Sequence, residues 1–201
     1  MRRYFLWMGL GLAAGLLLIA AITFARPYTL RGSAIQEPFP APDFTLTDGS
    51  GQPYRLSDQR GKLLLIFFGF TYCPDVCPTT LADMKQIRER LGKDAEQVEF
   101  VFITVDPERD VPEKVGQYVA AFDSAFTGLS GDEGQLEPVW KAYGVYRNLN
   151  KESPDDKNYS VDHSSRVYLV DPSGNLRLTY TFGTPVDDIL QDVRYLLKQK
   201  G

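Results

Sequence analysis

Two cysteines separated by three intervening residues are the side chains of this sequence best placed to do chemistry. They are Cys73 and Cys77, in Phe70-Thr71-Tyr72-Cys73-Pro74-Asp75-Val76-Cys77-Pro78. An apolar run, residues 62–70, precedes them, and a stretch with apolar residues at helical spacing, 79–91, follows. They therefore fall where a buried strand passes into a helix, the place where α/β folds build sites. Proline suits the first helical position and disfavours helical geometry in the residue before it, so Pro78 is expected to start the helix. Both sulfurs then lie near the helix's positive end, which lowers a thiol's pKa and favours the thiolate, the form that attacks disulfides and binds metal. A purely structural disulfide would close a tiny loop and constrain the unfolded chain little. The Pro and Asp between the cysteines mark a loop rather than apolar packing. Redox chemistry and metal binding both fit, and spacing alone does not choose between them. The familiar redox dithiol has two intervening residues, and this one has three.

The one histidine adds to the choice. His163 lies in Ser160-Val161-Asp162-His163-Ser164-Ser165, on the approach to a strand at 166–170. A loop leading into a strand beside residues 62–70 can approach the cysteine loop. Two thiolates and one imidazole form a soft three-ligand set that suits Cu(I) better than hard cations, and that takes zinc with a fourth ligand. Other candidates are more ordinary. Asp75 either tunes a thiolate or simply occupies a turn, Asp106 before Pro107 reads as a turn or helix-start residue, and Asp162 either orients His163 or sits in a polar loop. Tyr72 and Phe70 either shield the site or, as strand-end aromatics usually do, belong to the core.

These residues need a scaffold. The 201 residues allow one domain of ordinary size plus an accessory segment. Two cysteines cannot form a disulfide framework or a four-cysteine zinc site, and one histidine excludes a multi-imidazole site. Strands are expected at 43–47, 54–56, 62–70, 98–105, 145–149, 166–170 and 176–181. Helices are expected at 79–91, 112–122, 136–143 and 185–198, and residues 150–162 read as an exposed polar loop. The alternation indicates a mixed parallel and antiparallel sheet flanked by helices, occupying residues 42–201.

The N-terminus points to a membrane. Residues 4–25 form 22 positions without a charge, and at about 1.5 Å per residue they span roughly 33 Å, enough for a bilayer core. Arg2 and Arg3 favour residues 1–3 on the cytoplasmic side and the domain outside. No small-x-small cleavage site precedes Arg26, so an uncleaved anchor is the expectation. Residues 26–41, with three Pro and a Gly, read as a linker. The apolar run starts almost at Met1, leaving no room for an organelle-targeting segment, so the expected location is a bacterial inner membrane, crossed once, with the domain in the periplasm. Residues 27–201 carry 19 basic against 26 acidic side chains, which gives no electrostatic reason to bind nucleic acid.

With these residues in view, the chain resembles the Sco/SenC family of copper-binding proteins for cytochrome c oxidase assembly. The resemblance rests on Asp43-Phe44-Thr45-Leu46, Gly61-Lys62, the stretch from Gly69 to Pro78, Val105-Asp106-Pro107-Glu108-Arg109-Asp110, and Asp162-His163-Ser164. It implies a thioredoxin-like fold, with Cys73, Cys77 and His163 as ligands of copper, Cu(I) or Cu(II). It implies as partner the oxidase subunit that carries the dinuclear copper centre. It also implies a second reading, a thiol-disulfide reductase acting on that subunit's cysteines through Cys73 and Cys77. A peroxidase with Cys73 as attacking thiol is a third. A copper donor in an oxidising periplasm also needs a thiol reductant as partner.

Overall fold

The computed structural model describes residues 28–153 and 155–199, together with residues 7, 8, 11, 12, 14 and 15, which are helical. The rest of the expected span at 4–25 lies outside the described residues, and among the described residues no helix is long and apolar enough to cross a membrane.

The centre of the domain is β4 (Leu63–Gly69), every residue of which is buried. It pairs in parallel with β5 (Val98–Thr104) and antiparallel with β9 (Arg166–Val170). A strand paired on both edges and covered on both faces has no solvent side, so its sequence runs apolar without alternation. Beyond β5 lie β6 (Thr127–Ser130), β2 (Thr45–Asp48) and β3 (Pro53–Arg55). Beyond β9 lie β10 (Asn175–Thr181) and β1 (Ser33–Pro40), giving eight strands in the order β1-β10-β9-β4-β5-β6-β2-β3. Four helices pack on this sheet: α1 (Val76–Leu91), α2 (Pro112–Ala120), α3 (Glu133–Ala142) and α4 (Val186–Lys198). A separate hairpin, β7 (Arg147–Asn150) with β8 (Ser160–His163), stands outside the main sheet. The mixed, helix-flanked sheet expected from the sequence is thus the architecture found.

Four local expectations differ from the structure. First, α1 begins at Val76 rather than Pro78, with Asp75 as its N-cap, so Cys77 is inside the first turn. Pro78 also lies in that turn, where a missing N–H leaves no helical bond unmade. Second, residues 28–41 of the expected linker do not run as a free tether. β1 pairs antiparallel with β10, and the chain before it is clamped by Asp192 of α4. That buried carboxylate accepts hydrogen bonds from Tyr28 Oη (2.7 Å), Arg31 N (3.0 Å), Gly32 N (2.9 Å) and Tyr180 Oη (3.1 Å). Third, β6 is a buried four-residue strand too short to show a pattern. Fourth, the polar stretch 150–162 ends in β8, so His163 is a strand residue and not part of a loop.

Candidate metal and thiol site

The site gathers at the C-terminal end of β4. The chain leaves the sheet at Gly69 and Phe70, and the Cys73 amide donates back to the Phe70 carbonyl at 3.2 Å, forming a tight turn that aims Cys73 at the start of α1. The Cys77 amide, one of the helix's unpaired N-terminal donors, points at the Cys73 sulfur at 3.3 Å. Cys73 thus takes the acceptor place that a capping side chain fills elsewhere, and Asp75 makes no side-chain capping bond.

The two sulfurs are unlike. Cys73 is partly exposed and Cys77 is buried. The Cys73 pKa is held far below the usual thiol range, first by the hydrogen bond from the Cys77 thiol, with the Asp75 and Cys77 amides adding to it. Cys77 is pushed the other way, by donating to Cys73, by burial, and by the charges of Cys73 and Asp110. The two shifts, downward at Cys73 and upward at Cys77, favour a thiolate at Cys73 and a thiol at Cys77.

His163 completes the group from the end of β8. Its Nε2 stands 3.8 Å from the Cys77 sulfur, and its Nδ1 is 3.1 Å from the Ser164 carbonyl oxygen. A carbonyl only accepts, so Nδ1 carries the proton and Nε2 presents a lone pair. Phe70 and Phe67 meet the imidazole edge-on at centroid distances of 5.8 and 6.3 Å, walling it without competing for either nitrogen. The three sequence candidates are therefore brought together. Among the described residues no three such side chains are already closed to coordination spacing, so holding one ion through all three would require the triad to tighten. The separation of 3.8 Å between sulfur and nitrogen is short enough for both to reach one soft ion at about 2.3 and 2.0 Å, the bond lengths these donors make to zinc.

Other expectations change. Asp162 does not orient His163, because the Ser164 carbonyl does so and Asp162 bonds Asn150 instead. Tyr72 is exposed rather than core and lies against two cations, Lys114 at 3.9 Å and Arg109 at 4.7 Å from its ring centroid. Asp106 is more than a turn residue. It is fully buried and joins Arg109 Nε (2.6 Å) and Tyr159 Oη (2.6 Å), tying the hairpin that carries His163 to the end of β5. Arg109 adds a bond to the Tyr159 carbonyl at 2.9 Å and covers the Tyr159 ring at 3.5 Å. Arg147 of the same hairpin donates to the Val105 carbonyl at 2.5 Å.

Sequence reasoning missed two supports. Asp110, fully buried, accepts from Thr71 N (2.8 Å), Thr71 Oγ1 and Thr104 Oγ1 (2.9 Å), with Lys114 Nζ at 3.5 Å, so it pins the cysteine loop to β5. Gly69 is required by close approach. A Cβ there would stand 2.9 Å from the Cys77 sulfur and 2.8 Å from Phe102 Cε2. Gly69→Ala is expected to cost about 1–3 kcal/mol through overpacking and to displace the Cys77 sulfur. Thermal unfolding tests this, and an unchanged melting temperature would mean that the site yields freely.

A thioredoxin-like domain with a Cys-x-x-x-Cys turn and a facing histidine is thus defined, a class suited to soft-metal and thiol chemistry. Comparison with known proteins narrows it. The SCO1/SenC family model matches residues 33–198, and the chain belongs to that family. An SCO2-like protein of Rickettsia felis is 42% identical over 132 residues, which is 66% of this chain and 64% of that protein, so the match spans a little under two thirds of that relative. The apo Sco1 structure from Thermus thermophilus is 38% identical with a TM-score of 0.77, covering 85% of this chain and 98% of that one. ScoI of Bradyrhizobium japonicum, solved with copper bound, is 36% identical with a TM-score of 0.71, covering 79% and 100%. BsSco, described as a member of the Sco family of cytochrome c oxidase assembly proteins with a disulfide switch, is 26% identical with a TM-score of 0.64, covering 82% and 98%.

Proposed function

We propose that this protein is a copper metallochaperone that binds copper as cargo through Cys73, Cys77 and His163 and hands it to the subunit of cytochrome c oxidase that carries the dinuclear copper centre. Residues 4–25 hold it in the bacterial inner membrane as a single span, with residues 1–3 in the cytoplasm and residues 42–201 in the periplasm. The observation that carries this reading is the convergence of two sulfurs and a free imidazole lone pair at one strand end, with the other imidazole nitrogen satisfied by Ser164. The copper-bound relative and the oxidase-assembly description of BsSco support it. So does the site's position. Cys73 is accessible while Cys77 is buried, so an incoming ligand can engage the ion from the Cys73 side before the buried bond breaks.

The test is a competitive Cu(I) titration of the reduced full chain in detergent, beside Cys73→Ala, Cys77→Ala and His163→Ala. One equivalent held tightly by the wild type and weakened about tenfold or more in each variant, the scale of losing one strong contact, is the expected result. Binding indifferent to His163 would sink the three-ligand site.

A second reading, a thiol-disulfide reductase serving the same subunit, is favoured by two free cysteines side by side with one of them, Cys73, accessible. It uses the cysteines and leaves His163 dispensable, so oxidase assembly that survives His163→Ala supports it against copper delivery. In either reading a periplasmic thiol reductant must keep the pair reduced.

A further inference from the structure

Very little chain separates the expected membrane span from the folded domain. The apolar run ends at Ala25, and only Arg26 and Pro27 stand between it and Tyr28. Three Cα steps, Ala25 to Tyr28, reach at most about 11 Å. A free linker over residues 26–41 would instead wander on the order of 20 Å from end to end. Tyr28 is held on the domain by its hydroxyl, which donates to Asp192, and by its ring, which stacks on Tyr195 at a centroid distance of 4.2 Å. The Arg31 and Gly32 amides join the same buried carboxylate, Arg31 pairs with Asp188 at 3.0 Å, and β1 follows on β10. The surface around Tyr28 is therefore the part of the domain that a bilayer holding residues 4–25 meets first.

That surface is one side of α4. Gln191, Arg194, Tyr195 and Lys198 recur at i, i+3, i+4 and i+7, a single helical face, while Ile189, Val193 and Leu196 are buried on the other. Gln191, Arg194 and Lys198 are exposed, and this face carries no acid. The two acids of the first turn, Asp187 and Asp188, are already paired with Arg90 and Arg31. Among the described residues neither Arg194 nor Lys198 has an acidic partner, and Arg194 donates only to the Arg90 carbonyl. Stacked tyrosines beside unpaired cations suit a lipid headgroup surface, where the rings sit at the boundary and the cations meet phosphate. Residues 27–201 as a whole carry 19 basic against 26 acidic side chains, so anionic headgroups repel most of the domain and favour this side of it. The thiol site lies toward the other end of the helix. β10 ends beside it, with the Phe182 amide donating to the carbonyl of Ser165, two residues past His163. α4 then starts at Val186, and from there to Tyr195 is roughly 13 Å of helix.

We propose that the face of α4 bearing Arg194, Tyr195 and Lys198, with Tyr28 stacked on it, seats on the headgroups of the bilayer that holds the span. The domain is then docked to the membrane and not hung from a flexible tether, and Cys73, Cys77 and His163 stand at the end of α4 farther from the lipid. The proposal rests on the membrane-anchor reading and adds to it a lipid-binding surface and an orientation.

The test uses the full chain in vesicles of phosphatidylethanolamine and phosphatidylglycerol, with an energy-transfer acceptor on a fraction of the headgroups. A donor dye on Gln199→Cys, whose native side chain bonds Tyr195, is compared with the same dye on Asp75→Cys at the start of α1. Both are made in a Cys73→Ala, Cys77→Ala background, so that one sulfur is labelled. The dye at 199 is expected closer to the headgroups by about 10 Å or more, on the helix length above. Arg194→Glu with Lys198→Glu is expected to narrow that difference, and so are vesicles of phosphatidylcholine alone. Equal distances, or a difference unmoved by the charge reversal, would overturn the seating. The unsubstituted chain gives a second measurement: acetylation of Lys198, relative to Lys141 of α3, is expected to be slower on the phosphatidylglycerol vesicles than on phosphatidylcholine. A ratio no lower there would overturn the proposal without any variant. A chain that washes off the vesicles in alkaline carbonate would overturn the anchor reading and this proposal with it, whereas one that stays with both dyes equally distant overturns the seating alone.

Discussion

Asp110→Ala is expected to lower the unfolding free energy by about 3–5 kcal/mol, the range for removing one partner from a buried charged network. The carboxylate has no exposure and accepts from the Thr71 amide, the Thr71 hydroxyl and the Thr104 hydroxyl. Without it three donors lose their acceptor in a place water does not reach, and each unsatisfied group costs about 1–3 kcal/mol. Partial relaxation keeps the total below the sum. Two effects on the thiol site then oppose each other. Removing a negative charge near Cys77 favours its thiolate, but the loop from Thr71 to Cys73 loses its anchor to β5. The anchor is the larger effect, because it sets where the Cys73 sulfur meets the Cys77 amide and His163. Denaturant unfolding monitored by tryptophan fluorescence measures the stability, and a loss below about 1 kcal/mol would show that Thr71 and Thr104 find other acceptors.

What the sequence shows and what it hides follow from the range of the interactions. The central strand is legible because burial on both faces writes itself into consecutive residues, Leu63 to Phe68. The cysteine turn is legible because chemistry there depends on neighbours in the chain, and the strand-to-helix change frames it. β1 is hidden. Its residues are almost all exposed and include two prolines, so what makes it a strand is pairing with β10 and the clamp at Asp192, roughly 160 positions away. The placement of His163 was only half readable. Its motif is local, but β8 exists because Tyr159 reaches Asp106 and Arg147 reaches the Val105 carbonyl. Asp106 and Asp110 carry the same lesson. An aspartate in a proline-bearing segment reads as a turn residue, and only partners distant in sequence, Tyr159 and Thr71, make it a buried support. Gly69 leaves no pattern, since it matters for the side chain it lacks.

In the reduced, metal-free chain, alkylation of Cys73 by iodoacetamide is expected to run at nearly the same rate at pH 8 and pH 6, while Cys77 stays protected. An ordinary thiol, with a pKa of about 8.5, loses roughly 70- to 80-fold in thiolate over that interval. Cys73, pulled down to about 4, stays ionised until the pH approaches that value. The sign follows from the direction of the shift: a lowered pKa keeps the anion on descent in pH, and the raised Cys77 keeps its proton on ascent. Mass spectrometry of the alkylated chain at each pH separates the two sites, and a Cys73 rate that falls with the ordinary thiol's slope would show that the Cys77 thiol does not hold its charge. The same shift weighs metal capture against thiol attack. At pH 7 it multiplies the thiolate fraction about 30-fold, yet intrinsic nucleophilicity falls with basicity, by about a hundredfold for a drop of this size at a Brønsted slope near 0.45. As an attacking group Cys73 therefore gains nothing, while as a ligand it meets copper with no proton to displace. As a leaving group it gains outright, because a disulfide containing a sulfur of low pKa is cleaved more readily. A pair that is easily returned to the reduced state and poor at attacking on its own account is what a copper donor needs in a compartment that oxidises thiols.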